Sequence, residues 1–370
     1  MSVRVSYSKQ VAFGILFLLV ILAVVEVGLR IYYNNNPNFC EILKSDVYES
    51  VSNDLKNKIC FDAINIVWNY YPVAFIKPNQ NLYTIHIDSD GFRGPQITKD
   101  KPDNTYRIFV VGGSTAFGWG STSDETTISG YLQQDFDNTH LNSKVQVINA
   151  GVGGTFSLVE AEYVKNKLLT YHPNMIIVYD GVNDIVTSSR ALNQIQINES
   201  LTDKLVVLYK EYFTFYKTPQ ILQLVINDIK SRTQSQVTQI LDKSTVTEKA
   251  TMWKDNWEVI CDLGKKEGFD TIITIQPFLG TGNKTLTKHE HDYFLKTSNP
   301  VILKSYQSYV DQLDNIKNHC TSTADLRGAF DGISEPVYWD AVHVGDMGNK
   351  IIAEKLFELA NPVLKQKGIE

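Results

Sequence analysis

The sequence predicts an α/β protein: a flavodoxin-like three-layer α/β/α sandwich around a parallel five-stranded sheet, preceded by one N-terminal transmembrane helix. Three observations carry that expectation. From residue 107 onward, short apolar runs alternate with longer amphipathic stretches, the pattern of βαβ units whose parallel sheet is covered on both faces. Three of the runs lead into V-V-G-G-S-T-A-F-G, V-I-N-A-G-V-G-G-T and Y-D-G-V-N-D. Right-handed crossovers gather such loops at the carboxyl ends of the strands, where open α/β sheets place their ligands. The third observation is a single long apolar segment confined to the N-terminus.

That segment runs from Val11 to Val25 without a charge and is interrupted by Glu26 before Val27-Gly28-Leu29. Fifteen residues fall short of the roughly 20 that cross a bilayer. Pairing Glu26 with Arg30, four residues on, extends the apolar face toward Tyr32 and Tyr33, which suit an interfacial aromatic belt. No small-x-small cleavage site follows, so the reading is an uncleaved signal anchor over residues 1–33, not a cleaved signal peptide. Arg4 and Lys9 precede it, while Glu41, Asp46 and Glu49 outweigh Lys44 after it, which orients the rest of the chain away from the cytoplasm. Residues 34–104 form an extracytoplasmic stem, and 105–370 the main domain.

Within that domain the expected strands are Arg107–Gly112, Val145–Asn149, Met175–Tyr179, Thr271–Gln276 and Ala324–Phe330. Helical spacing marks Ile128–Phe136, Leu158–Thr170, Trp253–Glu267, Pro300–Cys320 and Asn349–Leu364. Residues 187–249 form an insertion without a placeable motif. Its aromatic run (Leu205–Tyr209, Glu211–Tyr216) and the helical pattern at Pro219–Arg232 read either as core or as a cap over a site. The four cysteines allow three pairings, and Cys40–Cys60 with Cys261–Cys320 is the expected one. Asn198-Glu199-Ser200 and Asn283-Lys284-Thr285 are sequons of little weight alone.

Chemistry enters with a fourth block, Trp339-Asp340-Ala341-Val342-His343. Serine is a poor nucleophile unless a histidine, held in one tautomer by a carboxylate, takes its proton. In one turn, Asp340 and His343 lie on the same side and Asp340 can hold the ring while the far nitrogen faces Ser114. An oxyanion needs donors: the Ser114 N–H, the Gly154 N–H, which lacks a Cβ to block approach, and the Asn183 amide. Asp184 reads as a cap instead of a catalyst. Trp119, five residues past Ser114, either lines a substrate pocket or packs under its loop.

These four blocks resemble those of the SGNH (GDSL-type) hydrolase superfamily, in which Ser, Gly, Asn and His occur in this order on separate loops. The resemblance implies Ser114 as nucleophile, Gly154 and Asn183 in the oxyanion hole, and Asp340 and His343 completing a triad. It covers Tyr106 to the C-terminus, and Asp90-Gly91-Phe92-Arg93-Gly94 is similar to the lead-in of membrane-anchored members. Gly113 stands where the family's name motif has Asp. The expected activity is hydrolysis of carboxylic esters (lipid, acetylated glycan or small ester) through an acyl-enzyme, without a cofactor. Acyl transfer to a sugar hydroxyl and a non-catalytic, polysaccharide-binding surface protein are the alternatives.

Other chemistries fit less well. An α/β-hydrolase elbow requires G-x-S-x-G, and Ala116 occupies the last position. Lys288-His289-Glu290-His291-Asp292 clusters ligand-type side chains but lacks H-E-x-x-H spacing, so it reads as a solvated loop and no metal is expected. A net charge of −6 gives no electrostatic basis for nucleic-acid binding, which needs cations to displace counterions.

Overall fold

The computed structural model describes residues 6–35, 40, 45–69, 75–139, 141–186, 243–297 and 300–369. The aromatic run, the Pro219–Arg232 helix and the Asn198 sequon of the 187–249 insertion lie outside the described residues. The chain divides into two compact units, one containing Met1–Cys40 and the other Glu41–Ile197 with Ile240–Glu370.

In the first unit, α1 (Tyr7–Asn35) is continuous through Glu26. Arg30 Nε reaches Glu26 Oε1 at 2.8 Å, so the two charges offset each other on one helix face, and the apolar segment is longer than the uninterrupted run suggested. Residues Tyr7–Tyr32 contain an 18-residue stretch with a mean hydropathy of 2.8. At 1.5 Å per residue they are long enough to cross a bilayer.

In the second unit five strands form one parallel sheet: β1 (Thr105–Gly112), β2 (Lys144–Gly151), β3 (Met175–Asp180), β4 (Asp270–Ile275) and β5 (Ser322–Asp325), in the order β2-β1-β3-β4-β5. This is the doubly wound order expected from the alternation. Because successive side chains point to opposite faces, each strand feeds two cores. Phe109, Val111, Ile148, Ile176, Val178 and Ile273 meet helices α5 (Ser157–Asn166), α7 (Lys243–Glu267) and α9 (Pro300–Ile316). Ile108, Val110, Val145, Met175, Ile177 and Ile272 meet α4 (Ile128–Asp137) and α10 (Asp346–Gln366). Every residue of β3 and β4 is buried, which is why Met175–Tyr179 of β3 reads as an unbroken apolar run.

Two expectations shift. The fifth strand is Ser322–Asp325, not Ala324–Phe330. Asp325 Oδ1 accepts the Arg327 N–H at 3.0 Å, and turns at Ala329 and Asp331 follow, so the chain leaves the sheet there. Leu326 and Phe330 are buried from those turns. The Lys288–Asp292 segment is not a solvated loop but the start of helix α8 (Lys288–Thr297), with Glu290 fully buried. Cys261 is bonded to Cys320 across 59 residues, joining α7 to the turn that follows α9, and no cysteine among the described residues is free.

The segment before the sheet packs on it. Helix α2 (Asn53–Asn65) carries Asp62, buried with its carboxylate accepting from the Tyr83 and Thr84 backbone N–H and the Thr84 hydroxyl. Phe92 of the G-F-R-G segment packs against both Phe109 and Tyr171 in a cluster of three rings. Arg93, 5% exposed, pairs with Asp124 at 2.7 Å and donates to the Phe117, Gly118 and Thr84 carbonyls. A buried guanidinium needs its donors satisfied; here they clamp the loop that follows Ser114.

Candidate active site

Strand β1 ends at Gly112 and runs into the one-turn helix α3 (Ser114–Phe117). The turn is tight: a Cβ at Gly112 would sit 2.2 Å from the Tyr179 carbonyl oxygen, and one at Gly113 2.5 Å from Asn183 Nδ2. Gly113 therefore has a physical reason in this chain. A side chain there, on this backbone, would expel the Asn183 amide from beside the Ser114 peptide.

Ser114 Oγ lies 2.7 Å from His343 Nε2, and His343 Nδ1 lies 2.7 Å from Asp340 Oδ2. A carboxylate only accepts, so Nδ1 carries the proton and donates to Asp340; Nε2 is then free to accept from the Ser114 hydroxyl. The other Asp340 oxygen accepts the backbone N–H of Val342 at 2.7 Å and of His343 at 2.6 Å. That turn is what D-x-x-H spacing was expected to give. The loop closes on itself through Trp339 N–H to His343 O and Gly345 N–H to Val337 O. The Trp339 indole stacks on the imidazole, centroids 4.8 Å apart and planes 14° from parallel. The His343 and Asp340 side chains are 16% and 19% exposed, partly shielded yet open to a ligand.

Asn183 begins where β3 ends, in the short helix α6 (Val182–Val186), and its Nδ2 donates to the Thr155 carbonyl at 2.6 Å. Gly154, just before Thr155, has φ +77° with nothing within 4 Å of an added Cβ. Its requirement for glycine is conformational, since an L side chain is strained in the left-handed region. Gly154 is exposed, so its amide stands at the surface of this loop.

Beneath these loops lies a buried carboxyl cluster that the sequence did not reveal beyond Asp184. Asp184 accepts the Ser157 N–H at 3.0 Å and the Ser157 hydroxyl at 2.5 Å, so it does cap a helix, though it caps α5 and not its own. Glu160 accepts the Thr155 hydroxyl at 2.9 Å, and Asp180 accepts from the Trp253 indole at 3.2 Å. Burial, and then the neighbouring Asp184 charge, pushes Glu160 up to about 8. Burial with Glu160 and Asp184 nearby raises Asp180 well above the usual carboxylate range. Asp184, also raised by burial but held by Ser157, reaches only about 6. Asp184, with both Ser157 donors, is thus the member of the cluster held lowest, and burial favours the protonated form of Glu160 and Asp180. The cluster braces the Thr155 and Asn183 segments from below.

Trp119 is half-buried, leaning on Phe117 with centroids 6.1 Å apart and on the cluster of Ile66, Ile76, Ile85 and Ile87. Trp68, which sequence reasoning passed over, packs against the Gly153 backbone, where its Cη2 would lie 2.9 Å from an added Cβ. Among the described residues, the groups able to hold a metal ion are Glu258, Asp262 and His319. There the imidazole already spends Nδ1 on Asp262 at 2.8 Å and Nε2 on Glu258 at 3.5 Å. One ion takes a single ring nitrogen, so this is the geometry of an ion pair on the helix surface.

No family model matches the chain, and no curated protein matches it. It is similar in structure to the acetyl xylan esterase AlAXEase (TM-score 0.40, 14% identity, covering 68% of this chain and 98% of that one). Another is Axe2, an acetylxylan esterase from Geobacillus stearothermophilus (0.42, 12%, 68% and 93%). A third is a Desulfitobacterium hafniense protein described as lipolytic and of the G-D-S-L family (0.38, 11%, 67% and 96%).

Proposed function

We propose that this protein is a membrane-anchored serine esterase of the SGNH type, working outside the cytoplasm. The reading rests on the unbroken chain from Ser114 Oγ through His343 to Asp340, with both contacts at 2.7 Å. As an ester carbonyl arrives, Ser114 Oγ attacks it and its proton passes to His343 Nε2. Asp340 steadies the imidazolium that results. The Ser114 and Gly154 N–H groups and the second amide proton of Asn183 hold the oxyanion; each such donor is worth about 3 to 4 kcal/mol of barrier. His343 then protonates the leaving alcohol, leaving an acyl-Ser114. Water repeats the sequence, giving up its proton to His343, and the acid departs with the hydroxyl of Ser114 restored. No cofactor enters these steps.

The exposed part of Trp119 is proposed as a wall of the substrate pocket, and residues 187–249 as its cap. The disulfide between Cys261 and Cys320 supports an oxidising compartment, and the placing of Arg4 and Lys9 ahead of the apolar run from Val11 to Val25 supports an extracytoplasmic domain. The test uses the full chain in detergent beside Ser114→Ala, with a fluorophosphonate probe and p-nitrophenyl acetate. Labelling and turnover that vanish in the variant are expected. A folded wild type that neither labels nor turns over would refute the proposal.

A further inference from the structure

We infer that Glu290, backed by Lys284, is a positioning residue for the loop that carries Asp340 and His343; this rests on the esterase reading above. The observation is a division of labour between the two oxygens of one buried carboxylate. Oε2 serves its own helix: it accepts the Thr287 N–H at 2.9 Å and the Lys284 ammonium at 2.6 Å. The Glu290 N–H in turn donates to Thr287 Oγ1 at 3.3 Å. This reciprocal pair is the capping box of T-x-x-E. Oε1 serves a distant segment. It accepts the backbone N–H groups of Val337 and Tyr338, both at 3.0 Å.

Those two amides begin the limb that leads into Trp339-Asp340. The limb pairs back on itself through the Tyr338–Val344 bridge and the Gly345-to-Val337 hydrogen bond, so the residues from 339 to 343 form the tip of a small hairpin. Pinning 337 and 338 sets where that tip stands. Val337 and Tyr338 have no strand neighbour for these donors, and a buried N–H without a partner is costly. The carboxylate supplies charge-assisted acceptors. Lys284, with its side chain only 5% exposed against 0% for Glu290, supplies the counter-charge a buried carboxylate requires. Helix α8 is thereby the rigid element from which the His343 loop hangs. In-line geometry between Ser114 Oγ and His343 Nε2 tolerates little error: a displacement of about 1 Å costs on the order of 10²-fold in rate.

The experiment compares Glu290→Leu/Lys284→Met, which removes the acceptor and the charge together, with Glu290→Gln/Lys284→Met, which restores an acceptor oxygen without a charge. Full-length proteins in detergent are checked for folding by circular dichroism and melting. They are then read two ways: kcat and KM on p-nitrophenyl acetate, and the downfield proton resonance of His343 Nδ1, which reports the Asp340 contact without turnover. The Leu/Met variant is expected to lose about 10²-fold in kcat with KM within about threefold, and to lose or broaden the resonance. The Gln/Met variant is expected to recover most of both. If the Leu/Met protein does not fold, Glu290→Asp, which draws the carboxylate back by one methylene, is expected to show the same split. A folded Leu/Met or Asp variant that keeps the resonance and wild-type kcat overturns the inference. The resonance is read without catalysis, so a failure of the esterase reading leaves its own trace: a normal wild-type signal with no turnover.

Discussion

Replacing Asp340 by Asn tests the proposed triad more sharply than removing it, because the structure dictates how the amide must sit. Oδ1 of Asp340 accepts two backbone N–H groups, from Val342 and His343, at 2.7 and 2.6 Å. An asparagine at 340 has one oxygen, and two short backbone donors hold it more strongly than one imidazole does. Its NH2 group is therefore turned toward His343 Nδ1. Nδ1 must then accept, which moves the ring proton to Nε2, the atom that has to receive the proton of Ser114. The shape of the loop survives while the tautomer is wrong. A carboxylate-to-amide change of this kind costs about 10⁴-fold in kcat, equivalent to about 5.4 kcal/mol of barrier. Melting temperature is expected to stay within a few degrees of wild type, since both backbone bonds persist. Asp340→Ala, by contrast, leaves the two donors of the turn without their acceptor. It should lose comparable activity and about 1 to 3 kcal/mol of stability as well. The assay is p-nitrophenyl acetate hydrolysis at neutral pH with thermal melts on the same samples. An Asp340→Asn protein within tenfold of wild-type kcat would show that Asp340 does not set the His343 tautomer.

Three further outcomes follow from the same geometry. Glu160 binds its proton more tightly folded (about 8) than unfolded (about 4.3), so its contribution to stability is whole below about pH 4 and is lost as pH rises through 8. Stability is therefore expected to fall with rising pH between roughly pH 5 and 8; Glu160→Gln should flatten melting temperature across that window, and an unchanged slope would remove Glu160 as its source. Opening the Cys261–Cys320 link, which closes 59 residues, is expected to cost about 4 kcal/mol by chain entropy, read as the drop in denaturation midpoint of Cys261→Ala/Cys320→Ala. Gly154→Ala meets no atom within 4 Å, so its cost is left-handed strain of about 1 to 2 kcal/mol; kcat should fall while KM holds, whereas equal losses of kcat/KM through KM alone would place Gly154 in ground-state binding.

How much of this could be read from the sequence depends on the range of the interaction. The sheet was legible because β3 and β4 are buried on both faces, which favours apolar runs such as Met175–Tyr179. β5 was not, because an edge strand with half-exposed Ser322, Thr323 and Ala324 has no such run. The apolar Leu326 and Phe330 that drew the boundary too far belong to turns. Asp340 and His343 were legible because their contact is local, one turn of chain, and the Ser114, Gly154 and Asn183 blocks because each sits where a strand ends.

What escaped is the set of polar contacts between segments far apart in sequence, for which no period or spacing exists. Arg93 reaching Asp124, Glu160 beside Asp180 and Asp184, and Glu290 reaching Val337 are all of this kind. The last case is instructive because half of it was local. Thr287-Lys288-His289-Glu290 has the spacing of a capping box, which argues for a helix start at Lys288 and against the solvated loop inferred from H-x-H. The remaining half, a second carboxylate oxygen turned on the Val337 and Tyr338 amides, follows from burial. For a carboxylate with no exposed surface, an oxygen without a donor is costly. Thr287 and Lys284 occupy only one, and the hairpin that presents His343 offers donors to the other.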